Sequence, residues 1–422
     1  MRAIAYTTLQ SQFTAVLPLM PERLLAAFGV GTRVDVLVND QPVGGFTLEP
    51  GHTHPLPLSL FPGVNRFSVS YLSDAGRLEE SLEVGWLLSA DAVTGSGEGE
   101  FPTVSAALAY LETAGLDQPV LYIRDGVYRE KITVRQPNLS IYGQSEKGTV
   151  IAWDDYSKKP APDGTDTGTG RCATMLVTPQ AENFTMQTLT VLNTYDRYNR
   201  PGFESYEERI AQGTWDICNG SGCQAVALRL SSDRCKLRQV TLDSCQDTLY
   251  DDEGRHWFYH CAIAGDVDFI FGGGLSLYEE CLITSKDIYS LPKGYVAAPR
   301  TDIRFPVGFL FLRCSLVHAI AKRPEQTVYL ARPWRQDGFA AFVNCYLGCH
   351  IKAEGYVDFP SGNHYSYAKG ARFWEWDCYG AGAIRHPDRP VMGLEQRQLF
   401  TRETVFSDQN GYFSQTWDPE FV

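Results

Sequence analysis

The chain has 422 residues, 44% hydrophobic and 21% charged, with 38 Gly, 22 Tyr and a formal net charge of -13. That length exceeds one ordinary compact core and predicts either two domains or an elongated repeat architecture. The acidic balance argues against nucleic acid, which is held by clustered Lys and Arg, and no apolar run reaches the roughly 18 to 20 residues that span a bilayer.

The first predicted elements are strands. Arg33-Val34-Asp35-Val36-Leu37-Val38 and Arg66-Phe67-Ser68-Val69-Ser70-Tyr71 alternate apolar and polar residues, with turns expected at Asn39-Asp40 and Pro62-Gly63. Residues 1–88 are therefore read as a small antiparallel β-rich accessory domain of unknown function. A boundary follows where Thr94-Gly95-Ser96-Gly97-Glu98-Gly99-Glu100 gathers small and acidic residues. Val104, Leu108 and Leu111 then recur at helical spacing before Gly115, which predicts a short amphipathic helix from about Thr103.

From Pro119 the pattern becomes many short β segments: 120–124, 127–134, 139–142, 149–153, 184–192, 225–230, 237–242 and 276–283. No long helical stretches lie between them to serve as crossovers for a doubly wound sheet. A parallel β-helix over residues 89–422 is predicted, its open end capped by the early helix; an antiparallel sandwich is the alternative.

Eleven cysteines spread along the chain without a compact framework read as buried reduced thiols, although Cys218 and Cys223, or Cys345 and Cys349, are close enough to pair. Cys345, Cys349 and His350 have some metal-ligand character, but no second pair at ligand spacing accompanies them. Neither metal nor cofactor is predicted.

Two motifs carry the chemistry. Gln246-Asp247-Thr248-Leu249-Tyr250 and Asp268-Phe269-Ile270-Phe271-Gly272 each place an Asp at the edge of an apolar segment, and 268 − 247 = 21 positions is close to one coil of a β-helix. Stacking at about 4.8 Å per coil would bring the carboxyl groups together, so that one keeps a proton while the other is anionic. The plainer role for each is an Asp that hydrogen-bonds its own turn. Gln224 and Gln246 add amide donors suited to a developing oxyanion. Leu330-Ala331-Arg332-Pro333-Trp334 adds a cation able to clamp a carboxylate and an indole face able to stack on a sugar. Asp251-Asp252-Glu253 reads as a solvated acidic turn.

These segments, together with Gly126-Val127-Tyr128-Arg129-Glu130, resemble the motifs of the pectin methylesterase family in family order, from about residue 94 onward. The resemblance implies a right-handed parallel β-helix that demethylates galacturonate esters. It implies Asp268 as nucleophile, Asp247 as general acid and then base, Gln246 and Gln224 as oxyanion donors and Arg332 as the partner of Asp268. It also implies Trp334, with Phe271 and Tyr250, as substrate contacts, and a structural Glu130. The implied partner is methyl-esterified homogalacturonan or its oligosaccharides, which suits an acidic protein better than a fully ionised chain.

The sequence departs from the family at Ala331, where Gly is usual, at Gly355-Tyr356 in place of Gly-Trp, and at Cys378 in place of Asn; these changes are expected to alter the groove. The polar stretches 154–171 and 195–222 are expected to form its rim. Glycoside hydrolysis and non-catalytic polysaccharide binding are the competing readings, since paired carboxylates also serve retaining glycosidases. With no apolar export segment seen after Met1, a cytoplasmic enzyme acting on imported oligosaccharides is expected, with secretion or a periplasmic location as the alternative.

Overall fold

The computed structural model describes residues 33–38, 41–47, 63–73, 76–86, 90–97, 99–196, 222–286, 294–319, 325–359 and 370–420. Strands Arg33–Val38, Gln41–Thr47, Gly63–Ser73 and Gly76–Trp86 form an antiparallel sheet in the order second, first, third, fourth. Both alternating stretches predicted from the sequence lie in it. Gly63 opens a strand opposite Trp86 instead of lying in a turn, and Pro62, Asn39 and Asp40 fall outside the described residues.

From Ala92 onward the chain winds as a parallel β-helix. Among the described residues its strands stack into one sheet of 16 strands and one of seven, with parallel pairing between neighbours. Some predicted segments divide. The 127–134 segment is two strands, Gly126–Arg129 and Ile132–Val134, and 276–283 likewise splits into Leu275–Glu279 and Leu282–Ser285.

The divisions mark corners of the coil. His260, Glu280, Arg313, Asn344 and Asp377 each adopt a left-handed backbone, φ 50 to 54°, and each is followed by a cysteine. Cys261, Cys281, Cys314, Cys345 and Cys378 thus stack in register on five successive coils. Each thiol from Cys281 onward donates to a carbonyl one coil earlier, Cys281 to Phe258, Cys314 to Tyr278, Cys345 to Phe311 and Cys378 to Phe342. Beside this column the rings of Phe258, Tyr278, Phe311 and Phe342 stack at centroid spacings of 4.7, 4.6 and 4.6 Å. The coil repeat fixes that distance, and the flat rings fill it.

Among the described residues nine cysteines are free thiols, seven of them buried, so Cys345 and Cys349 do not pair: Cys345 belongs to the column and Cys349 is exposed. Cys223 is disulfide-bonded, whereas Cys218, its expected partner, lies outside the described residues. Cys378 and Tyr356, two of the departures expected to alter the groove, are core positions instead. Cys378 extends the thiol column, and Tyr356 is buried with its ring against Phe373.

The helix α1, Val104–Thr113, closes the first coil with Val104, Ala107, Leu108 and Leu111 buried. Thr103 caps its N-terminus by accepting from Ala106 N–H, and both oxygens of Glu130 accept from Val104 and Ser105 N–H at 2.8 and 2.9 Å. That carboxylate meets the free donors and the positive end of the helix dipole, which gives Glu130 a structural role. At the other end of the chain, Met392, Phe400, Val405, Phe406 and Trp417 pack on Trp257, Leu277 and Leu310 of the large sheet. Buried Arg255 ties this tail down by donating to Phe406, Ser407 and Gln415 carbonyls.

Asp251 and Asp252 do not form a solvated turn. The strand ends in the sheet, which sends Asp251 into the core, where it is hydrogen-bonded by His256 Nδ1 and Tyr278 Oη. Asp252, on the opposite face, pairs with Arg229 and Arg300. Glu253 alone of the three is exposed.

Candidate active site

The seven-stranded sheet carries the site on its outer face. Leu249 pairs with Ile270 and Tyr250 with Phe271, a shift of 21 positions, so Asp247 and Asp268 occupy equivalent places one coil apart. Both have left-handed backbone, φ 65 and 49°. The side chains alternate: Leu249 and Ile270 enter the core, while Tyr250 and Phe271 face a cleft of about 620 Å³.

Asp268 receives two parallel hydrogen bonds from Arg332, Nε to Oδ1 at 2.7 Å and Nη2 to Oδ2 at 2.6 Å. The guanidinium is held between the rings of Tyr295 and Phe359, at 3.7 and 4.5 Å from their centroids. Burial, reinforced by the Asp268 charge, pushes the Asp247 carboxyl well above the usual carboxylate range, with Arg332 and a hydrogen bond from Gln246 opposing. The two carboxyl groups are thus unlike: Asp268 is fixed against a cation, and Asp247 favours its protonated form. Gln224 and Gln246 stack on one another through a parallel bridge and both line the cleft. The Gln224 side-chain oxygen is buried without a hydrogen-bond partner.

The predicted substrate contacts also assemble here. Tyr250 and Phe271 stack at 4.4 Å, and Trp334 meets them edge-on at 6.2 and 5.6 Å. All eight residues singled out from the sequence therefore share one cleft. Of the expected rim, Thr169 and Gly170 line it, whereas residues 197–221 lie outside the described residues.

The sequence reading missed Arg229, Tyr295, Phe359 and the aromatic-facing arginines. Arg229 lies 4.9 Å over Tyr250, donates to Asp252 through Nε and Nη2, and bonds Gly170 O at 2.8 Å. Arg300 takes the other oxygen of Asp252 and lies 5.7 Å over Trp334. The signal for Arg229 was present: 250 − 229 and 271 − 250 are both 21, so Arg229, Tyr250 and Phe271 form one outward column. Tyr295 and Phe359 carried no comparable mark.

The pectinesterase family model matches residues 91–200 and 214–387. The chain belongs to the pectinesterase family. Pectinesterases are carboxylic ester hydrolases, and this one is built on the right-handed parallel β-helix of its family. It is 31% identical over 325 residues to Pectinesterase QRT1 of Arabidopsis thaliana, covering 74% of this chain and 76% of that protein. It is 31% identical over 338 residues to Pectinesterase A of Dickeya dadantii (strain 3937), covering 74% and 89%. Among solved structures it resembles the pectin methylesterase PemA from Erwinia chrysanthemi, with 28% identity, TM-score 0.68 and coverage of 79% of this chain and 99% of that one. A pectin methylesterase in complex with a hexasaccharide is similar to it with TM-score 0.69, 28% identity and the same coverage.

Proposed function

We propose that this pectinesterase hydrolyses C6 methyl esters of galacturonate in homogalacturonan or its oligosaccharides. The observation that carries the reading is the contrast within the stacked pair: Asp268 in the fork of Arg332, and Asp247 buried with its proton favoured. An Asp268 oxygen attacks C6, and the negative charge passes to the carbonyl oxygen, where Gln246 and Gln224 amides donate. Collapse breaks the bond to methoxide, which takes the Asp247 proton and leaves as methanol. Water then gives one proton to Asp247 and attacks the acyl carbon, so that Asp268 leaves as its carboxylate and the galacturonic acid formed loses its remaining proton to solvent.

The family supports an ester over a glycosidic bond, and the hexasaccharide complex of the related esterase supports an oligosaccharide substrate. Methyl-esterified oligogalacturonides should yield methanol with no new reducing ends, and the rate should survive exhaustive chelation. New reducing ends without methanol would overturn the reading. The roles separate with an activated ester: Asp247→Asn should give one equivalent of alcohol in a burst and then slow, and Asp268→Asn should give none. A cytoplasmic location is part of the proposal, supported by the free thiols and opposed by the Cys223 disulfide; cell fractionation decides it.

A further inference from the structure

A second cavity of about 340 Å³ is lined by residues that follow those of the cleft along the same coils. On four successive coils the chain passes from one cavity to the other within three positions: Tyr250 to Glu253, Phe271 to Gly273, Ala298 to Arg300 and Trp334 to Arg335. Arg300 joins them, lying over the Trp334 ring while lining the second space. The two cavities are therefore neighbours along the strand direction, suited to one extended ligand.

The far wall comes from outside the coils. Phe305 and Tyr412 meet edge-on at 4.8 Å, and Arg304 lies 5.7 and 5.6 Å from their ring centres. Asp302 orients Arg304 through a 2.9 Å hydrogen bond, and Asp337 adds a second acceptor to the lining. Guanidinium groups, carboxylates and ring faces in one small space match a sugar acid: one carboxylate to pair, hydroxyls that donate, and an apolar ring face. The carboxylates among the arginines make the space a poor match for a polyphosphate.

We propose that this cavity is a distal subsite for a uronate unit of the same galacturonan chain whose ester reacts at Asp268, several units away. The proposal rests on the reading of function given above. Arg304 and Tyr412 are exposed, so Arg304→Ala and Tyr412→Ala should fold normally. Each should lower the ratio of kcat/KM for a methylated octagalacturonide to that for a trigalacturonide by about tenfold, the loss of one charged or ring contact. An unchanged ratio, whether both substrates suffer equally or neither does, would overturn it. Binding of unesterified octagalacturonate, followed by tryptophan fluorescence, needs no turnover and should weaken by the same factor in both variants. Absence of methanol release by the parent enzyme from either substrate would sink the functional reading, while the binding arm would still decide whether the cavity holds the chain.

Discussion

Arg332 grips both carboxylate oxygens of Asp268 across 64 positions of sequence, in a site where each side chain is almost entirely withdrawn from water. A lysine keeps the charge but cannot reproduce the fork. Arg332→Lys should therefore lower kcat by about tenfold or more with the fold retained, since one of two charge-assisted bonds is lost. Arg332→Ala leaves a buried carboxylate uncompensated and should destabilise the protein by about 3–5 kcal/mol. Urea unfolding and kcat at saturating ester check both.

Asp247 carries the opposite electrostatics. Its carboxyl is raised above the usual range by burial and by Asp268, so the native state holds that proton to higher pH than the unfolded chain does. Between the unfolded and folded pKa values stability falls as pH rises, and above both the penalty is about 1.4 kcal/mol for each pH unit that separates them. Asp247→Asn should remove the penalty, raising Tm at pH 7 but not at about pH 3, where both states are protonated. The same substitution should abolish methanol release, and parent kcat should fall as pH rises through the Asp247 pKa. No gain in Tm at pH 7 would mean that Asp247 ionises without cost.

Gln246 touches the reaction only through its amide. Gln246→Ala should reduce kcat by about 100-fold with little change in Tm, the usual effect of losing one oxyanion donor. A change of only a few fold in steady-state methanol release would place the residue away from the reacting carbonyl.

Tyr278 and His256 supply hydrogen bonds to the carboxylate of Asp251 in the core beneath the cleft. Tyr278→Phe keeps the aromatic stack and removes one donor, so it should cost about 1–3 kcal/mol in chemical denaturation. Methanol release per folded enzyme should change little.

Glu130→Ala should leave two N–H groups of α1 without their carboxylate and lower stability by about 1 kcal/mol. The helix lies at the end of the stack, so kcat and KM should stay at parent values. A substantial fall in kcat would give the residue a catalytic role after all.

The 21-residue spacing of Asp247 and Asp268 was legible because a β-helix converts a fixed interval along the chain into a fixed distance across it. The same rule makes Arg229, Tyr250 and Phe271 one column, and the short apolar segments between left-handed corners follow from it. Position along the coil was therefore written in the sequence. What faces what across the turns was not. Asp251 and Asp252 look alike as neighbours in a polar run, yet strand alternation buries one against His256 and Tyr278 and hands the other to two arginines. Tyr295 and Phe359 around Arg332, and the meeting of Arg304 with Tyr412, join segments whose intervals match no repeat. Such contacts depend on where loops and the tail fold back onto the stack, and packing free energy summed over distant residues decides that, with no local periodicity to record it.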